Sequence, residues 1–146
     1  MRRVVITGIG MVTPLGLGVT LNWQELLAGK SGISKIKSFD VSDISCQIAG
    51  SVPNKDEPNG LDLDKFIEPK EQRKIDRFIQ FGIVAAIEAV ENSNWAPRTV
   101  LEQERSGVMI GSGIGGLQTI VETAELMNER GPRRISPFFI PSALIN

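Results

Sequence analysis

The sequence contains no histidine among its 146 residues. This absence removes the commonest general base, the usual partner of a cysteine or serine nucleophile, and the commonest metal ligand. The single cysteine, Cys46, excludes an internal disulfide framework and any site built from several cysteines. Because Cys46 and Ile48 alternate with Gln47 as in a half-buried strand, we expect Cys46 to be a small buried hydrophobic residue.

Strong charge of one sign and long apolar runs are also missing. The net charge of −1 and the pI near 5.5 give no electrostatic footprint for nucleic acid. No apolar run approaches the roughly 18 residues that span a bilayer, and the stretch after Met1 is too short for a signal peptide. We therefore expect a cytoplasmic protein, and its 41% hydrophobic and 23% charged residues predict one ordinary globular domain.

The most informative stretch is SGVMIGSGIGG, which runs from Ser106 to Gly116. Residues 108–110 are predicted to form a short buried strand that leads through a glycine-rich turn into a helix. Glycines remove side chains where the strand meets the helix N-terminus, so backbone there can approach a neighbour or a ligand closely.

Two interpretations of this turn follow from its residues. Gly111, Gly113 and Gly116 satisfy the G-x-G-x-x-G fingerprint of a dinucleotide-binding Rossmann-like domain. A second strand that ends in an acidic residue about 20 positions later is missing, since GPRRISPFFIPS occupies that place. The other interpretation is a tight turn in a packed core, and the pattern alone leaves both open.

The rest of the chain predicts alternating strands and helices, and therefore α/β layers. Strands are expected at residues 4–6 and 46–52, with an irregular segment at 32–45 anchored by Phe39 and a polar loop at 53–60. Thr20 is a plausible N-cap for a short helix that Gly29 ends.

Three further helices are expected. The longest, over 71–92, is apolar on two sides and should pack between a sheet and another element. An amphipathic helix follows the glycine turn and ends at Gly131-Pro132, and Pro141 is expected at the first position of a last helix.

Five motifs, in order along the chain, resemble the N-terminal part of a β-ketoacyl-acyl-carrier-protein synthase of the type II, elongating class. They are MRRVVITGIGMVTPLG, LLAGKSGI, KEQRKIDRFIQFGIVAAIEA, IGSGIGG and PRRISPFFIPSALIN. The resemblance implies a thiolase-like fold of α-β-α-β-α layers, a homodimer, and an acyl-carrier protein as partner, with no metal or organic cofactor, no nucleic acid and no membrane. The implied reaction is decarboxylative Claisen condensation of malonyl-carrier protein with an acyl thioester in fatty-acid elongation.

The resemblance also implies that the nucleophilic cysteine and both active-site histidines lie beyond Asn146. Residues 1–146 would then be the N-terminal part of a β-ketoacyl synthase domain that stops before the catalytic cysteine. None of the catalytic residues is in this sequence, Cys46 is not the nucleophile, and the chain by itself should be inactive. The alternative is a non-catalytic fragment or interaction module.

Two sets of residues match functional positions of that family. Ile114 resembles the floor of the acyl pocket, and Phe139 resembles a residue that closes the pocket of the partner subunit, with ordinary core packing as the alternative. Five basic residues resemble the docking surface for the acidic carrier protein: Lys70, Arg73, Lys74, Arg133 and Arg134. The two at 133 and 134 would also suit a helix C-terminus, whereas the other three would oppose the dipole at the start of the long helix.

Overall fold

The computed structural model describes residues 2–144, which form two compact units. One unit combines the chain up to Leu63 with Val84–Trp95, and the other combines Asp64–Ile83 with the chain from Ala96 onward. The helix that spans residues 77–93 therefore contributes to both units, and a short 3₁₀ helix, Leu63–Lys65, links them along the chain.

The first unit begins with a small hairpin followed by a helix. Strands β1 (Val12–Thr13) and β2 (Gly16–Leu17) pair antiparallel around a turn at Pro14-Leu15, and helix α1 (Val19–Leu27) follows. Buried Asn22 holds the two together, because its Nδ2 donates to the carbonyls of Gly16 and Gly18 while its Oδ1 accepts from the Thr13 hydroxyl.

The N-terminus of α1 differs from the prediction. Gly18, and not Thr20, is the N-cap residue, and it has no side chain with which to cap the helix. The carboxylate of Glu88 accepts instead from the backbone nitrogen of Val19, at 2.8 Å, and from that of Met11, at 2.7 Å. The end of α1 agrees with the prediction, since Gly29 takes the left-handed conformation with φ +68°.

A second ribbon joins β3 (Ile33–Lys35) to β4 (Ile48–Gly50) in antiparallel register. The predicted strand at 46–52 is confirmed in its centre only. Cys46 lies before β4 and is exposed, and Phe39 is 61% exposed, so the predictions that they are buried are wrong. A two-stranded ribbon buries little surface without a layer that covers it.

Helix α3 (Arg77–Ser93) and the N-terminal segment are in backbone contact. A Cβ atom on Gly10 would lie 1.9 Å from the carbonyl oxygen of Ala85, and one on Gly8 would lie 2.2 Å from that of Ala89. Two glycines facing two alanines one helical turn apart thus let the segment lie directly on the helix. Val84 is fully buried at this place in the helix.

Two predicted strands do not form. Residues 4–6 and 108–110 carry no strand, and their side chains are strongly exposed, at 93% for Val4 and 99% for Met109. A strand exists only through hydrogen bonds to a neighbour, and within residues 2–144 neither segment pairs with one. β-branched residues favour strands, but composition does not supply the neighbouring strand that pairing requires.

The second unit contains α2 (Pro69–Gln72), the first half of α3, α4 (Val100–Glu104), α5 (Leu117–Arg130), a 3₁₀ helix (Pro132–Arg134) and α6 (Phe139–Ala143). The predicted single helix at 71–92 is wrong at its start, because α2 ends at Gln72 and α3 begins at Arg77. The buried side chain of Gln80 satisfies backbone carbonyl groups at this break, since its Nε2 donates to the carbonyls of Gln72, at 2.9 Å, and Ile75, at 3.3 Å.

The remaining helix ends follow recognisable capping rules. Thr99 and Glu102 form a capping box around the start of α4, and the backbone N–H groups of Thr99 and Arg98 lower the pKa of the Glu102 carboxyl. Helix α5 ends at Gly131, with φ +80°, as predicted. The prediction that Pro141 is the first residue of the last helix is wrong, because α6 begins two residues earlier at Phe139. Pro141 is accommodated there because the first N–H groups of a helix have no intrahelical acceptor.

Candidate functional site

The N-terminal part of the glycine turn, residues 111–114, is exposed. Added Cβ atoms on Gly111 and Gly113 would have no described atom within 4 Å, and Ile114 is 78% exposed. The hydroxyl of Ser112 accepts from the backbone nitrogen of Gly115 at 3.1 Å, which closes the turn locally. Gly115 has φ +83°, a conformation in which glycine carries no steric penalty.

The last glycine of the turn is closely packed. Gly116 is buried and is the N-cap of α5, and a Cβ atom there would lie 2.8 Å from Cα of Ala143. Its backbone nitrogen donates to the carbonyl of Ala143 at 3.0 Å. Position 116 therefore requires glycine because the end of α6 lies against the start of α5.

Asp76 joins a third segment to this contact. Its Oδ2 accepts from the backbone nitrogen of Thr119, at 3.2 Å, and from the Thr119 hydroxyl, at 2.7 Å. Its own backbone nitrogen donates to the carbonyl of Ser142 at 3.1 Å. Thr119 is the third residue of α5, so the carboxylate of Asp76 takes the capping role that Gly116 cannot fill.

Sequence reasoning missed Asp76. An aspartate directly before a helix is an ordinary N-cap residue, and Asp76 directly precedes α3. No local pattern shows that its carboxylate reaches Thr119, which lies 43 residues later. The one available signal was negative, since α5 begins at a glycine and so needs a capping group from elsewhere.

Phe139 is the first residue of α6 and is half-buried, whereas its neighbours Phe138 and Ile140 are 51% and 59% exposed. The Ser142 hydroxyl donates to the Phe139 carbonyl at 2.8 Å, so the two ends of this short helix are tied together. The predicted pocket residues Ile114 and Phe139 thus lie on the two segments that meet at Gly116 and Ala143.

The five basic residues fall on two stretches. Lys70, Arg73, Arg133 and Arg134 are exposed, and Lys74 is half-buried. The Lys74 ammonium lies 2.5 Å from the Glu71 carboxylate and 5.8 Å from the ring centre of Phe138. The contact with Phe138 brings the segment after α2 next to the segment after the 3₁₀ helix at Pro132–Arg134.

The expected position of three of these residues is corrected. Lys70 lies within α2, Arg73 is the C-cap of α2, and Lys74 precedes the start of α3. None of them is in the first turn of the long helix, so the expectation that their charges oppose its dipole is wrong. That expectation therefore no longer supports a role in binding a partner. The exposure of Lys70 and Arg73, and not the helix dipole, is what remains in favour of a partner.

The chain was compared with known protein families, and the model of the β-ketoacyl synthase N-terminal domain matches residues 1–146. This chain belongs to the β-ketoacyl synthase family. It is 48% identical over 147 aligned residues to 3-oxoacyl-[acyl-carrier-protein] synthase 2 of Rhizobium meliloti, a match that covers 100% of this chain and 35% of the relative. The enzyme of the same name from Vibrio cholerae is 46% identical, over 99% of this chain and 33% of the relative. The β-ketoacyl synthase chain thus spans about a third of the length of these relatives.

Solved structures share the fold of this β-ketoacyl synthase chain. A β-ketoacyl synthase from Burkholderia phymatum matches with a TM-score of 0.74 at 24% identity, over 99% of this chain and 34% of that one. A ketosynthase in complex with a type II PKS acyl-carrier protein matches with a TM-score of 0.64 at 26% identity, over 99% of this chain and 35% of that one. The predicted fold class, the N-terminal portion of a layered thiolase-like α/β fold, is confirmed.

The structure was also searched for membrane-spanning helices and metal sites. No helix within residues 2–144 is long and apolar enough to cross a membrane, and no cluster of acidic or cysteine side chains in that range is arranged to hold a metal ion. The dinucleotide-binding interpretation of the glycine turn is not favoured, because the family match accounts for the same glycines.

Proposed function

We propose that this chain is the N-terminal part of a 3-oxoacyl-[acyl-carrier-protein] synthase of the elongating type, an acyltransferase of fatty-acid synthesis. The observation that carries the proposal is the match of the whole chain, residues 1–146, to the family together with relatives of 46–48% identity that bear this name. The reaction is decarboxylative condensation of malonyl-carrier protein with an acyl thioester. Residues 1–146 supply binding surfaces and no catalytic group.

In this proposal the glycine turn forms the floor of the acyl pocket. Ile114 is the one large apolar side chain in a turn whose other positions are glycine or serine, and its side chain is exposed and available for contact. In such a floor the side chain of Ile114 alone limits the length of the acyl chain, because the flanking glycines have no side chains. Phe139 would close the pocket of a partner subunit, and the exposed Phe138 and Ile140 beside it fit an apolar contact between subunits.

The second element of the proposal is the docking surface. Acyl-carrier protein is the proposed partner, in keeping with the ketosynthase, 26% identical to this chain, whose structure is a complex with its acyl-carrier protein. Arg73, Arg133 and Arg134 are exposed and form no ion pair with the described residues, so their charge is available to a partner. Lys74 has a second use, since it is paired with Glu71 and lies over Phe138.

The activity is tested with the complete protein that contains this chain. The complete protein should convert malonyl-carrier protein and a carrier protein that bears an acyl chain of medium length into the 3-oxoacyl product, detected by mass spectrometry. Residues 1–146 alone should give no product. Product formation by residues 1–146 alone, or its absence with the complete protein, would contradict the proposal. The second result would favour a non-catalytic interaction module.

The docking surface is tested by charge reversal. Arg73→Glu should raise KM for carrier-bound substrate, and the effect should shrink with added salt because exposed charges are screened beyond about 8–10 Å. Arg105→Glu is the matched control, since Arg105 is an exposed arginine of the same unit outside the predicted surface. An acyl thioester without carrier protein should be used equally by all three proteins. Equal losses with both kinds of substrate would make Arg73 a structural residue.

A further inference from the structure

One carboxylate connects the three segments around the proposed pocket. Asp76 accepts two hydrogen bonds from Thr119 at the start of α5, and its backbone nitrogen donates to Ser142 in α6. Its Oδ2 would lie 3.0 Å from a Cβ atom on Gly116. The carboxylate thus fills the space that the missing Gly116 side chain leaves.

The position of Ile114 depends on this contact. Only Gly115 separates Ile114 from Gly116, and the turn on its other side is open, because added Cβ atoms on Gly111 and Gly113 would meet no described atom within 4 Å. The turn is therefore held chiefly from its C-terminal end, by Asp76 and by the hydrogen bond from Gly116 to Ala143.

We infer that Asp76 is a positioning residue that sets acyl-chain selectivity, because it fixes the glycine turn that carries Ile114 against the segment that carries Phe139. This inference rests on the proposed function. Asp76 touches no substrate in this arrangement. It acts by capping α5 with a group from outside that helix, so that the floor of the pocket stays at one depth.

The test uses the complete synthase and the ratio of kcat/KM for two primers: the longest that the parent uses well, and the one two carbons longer. The ratio is kcat/KM for the shorter primer divided by that for the longer one. In Asp76→Ala the floor should move and admit the longer chain, so this ratio should fall about five-fold, which corresponds to about 1 kcal/mol for the loss of one cap. Asp76→Asn keeps an acceptor oxygen, and its ratio should lie closer to that of the parent. Thr119→Val should relax the ratio in the same direction, whereas Thr119→Ser should not.

Glu122→Ala is the matched control. Glu122 is a carboxylate on the exposed side of the same helix that accepts only from Gln118 in the described structure, and its removal should leave the ratio within about two-fold. Melting temperatures of all variants set an assay temperature at which each remains folded.

The outcomes separate this inference from the proposed function. An inactive parent would refute the proposed function and the inference with it. An active parent, with an Asp76→Ala variant that loses rate equally for both primers, would leave the proposed function intact and show that Asp76 is merely structural. An Asp76→Asn variant as relaxed as Asp76→Ala would likewise overturn the acceptor role.

Discussion

The contact between the N-terminal segment and α3 makes a quantitative prediction about glycine at position 10. In Gly10→Ala the new methyl carbon would lie 1.9 Å from the carbonyl oxygen of Ala85 and 2.8 Å from the nitrogen of Ala89. Ordinary contact begins near 3.4 Å, so the segment and the helix must separate by about 1.5 Å at this point. Both opposing atoms are backbone, so no rotamer change relieves the overlap.

The expected cost is at or above the upper end of the range for overpacking, about 3 kcal/mol. Separation would also lengthen the hydrogen bonds from Met11 to Glu88, at 2.7 Å, and from Ile9 to Asn92, at 3.2 Å, which flank the contact. Loss of a hydrogen bond to a charged group adds about 1.5–3 kcal/mol, so Gly10→Ala should rank among the most damaging methyl additions in the chain.

Gly82→Ala is the matched control. Gly82 lies in the middle of α3, and an added Cβ atom there would meet nothing within 4 Å. The same methyl group should therefore stabilise the protein by about 0.5–1 kcal/mol, through helix propensity alone. Urea unfolding followed by far-UV circular dichroism measures both changes. A Gly10→Ala variant within 1 kcal/mol of the parent would refute the close approach of segment and helix.

Three further predictions concern other sites. Ile114→Phe in the complete synthase should shorten the longest acyl primer used and leave short primers nearly unaffected, since each excluded methylene loses about 0.8 kcal/mol of burial; equal losses for short and long primers would contradict this. Because its carboxyl pKa is lowered on folding, Glu102 stabilises α4 above about pH 4.5, and this support is lost as the pH falls further; an acid titration by circular dichroism should be shallower for Glu102→Gln, and identical curves would refute the assignment. The exposed Cys46 should react with a thiol reagent in the native protein, and Cys46→Ala should leave condensation unchanged; turnover that depended on Cys46 would contradict the proposed function, in which residues 1–146 supply no catalytic group.

The features that were predictable from sequence are those whose causes lie close together in the chain. The helix after the glycine turn, its end at Gly131 and the polar loop at 53–60 each depend on residues within a few positions of one another, and the structure confirms them. The capping box at Thr99 belongs to the same class, although it was not recognised. Local signals suffice here because helix periodicity and caps are local interactions.

The errors have causes that lie far away in the chain. The long helix breaks before Arg77 because Gln80 and Ser142 satisfy the backbone groups at the break, and Ser142 is more than 60 residues away. The segments at 4–6 and 108–110 have strand propensity without a partner within the described residues. For the candidate site, the family resemblance identified Ile114, Phe139 and the basic residues, and their roles stay predictions. The role of Asp76 could be found only from the structure, because its partner Thr119 lies 43 residues later.

The exposed apolar segments at 4–6 and 108–110 have a consequence for how residues 1–146, taken on their own, behave at high concentration. Val4 and Met109 are almost completely exposed, and the backbone beside them has no ladder partner in the described part of the chain. Such segments recruit copies of themselves, and a net charge of −1 supplies little mutual repulsion to keep copies apart. A single lysine at position 4 or 109 should therefore delay precipitation of residues 1–146 taken on their own.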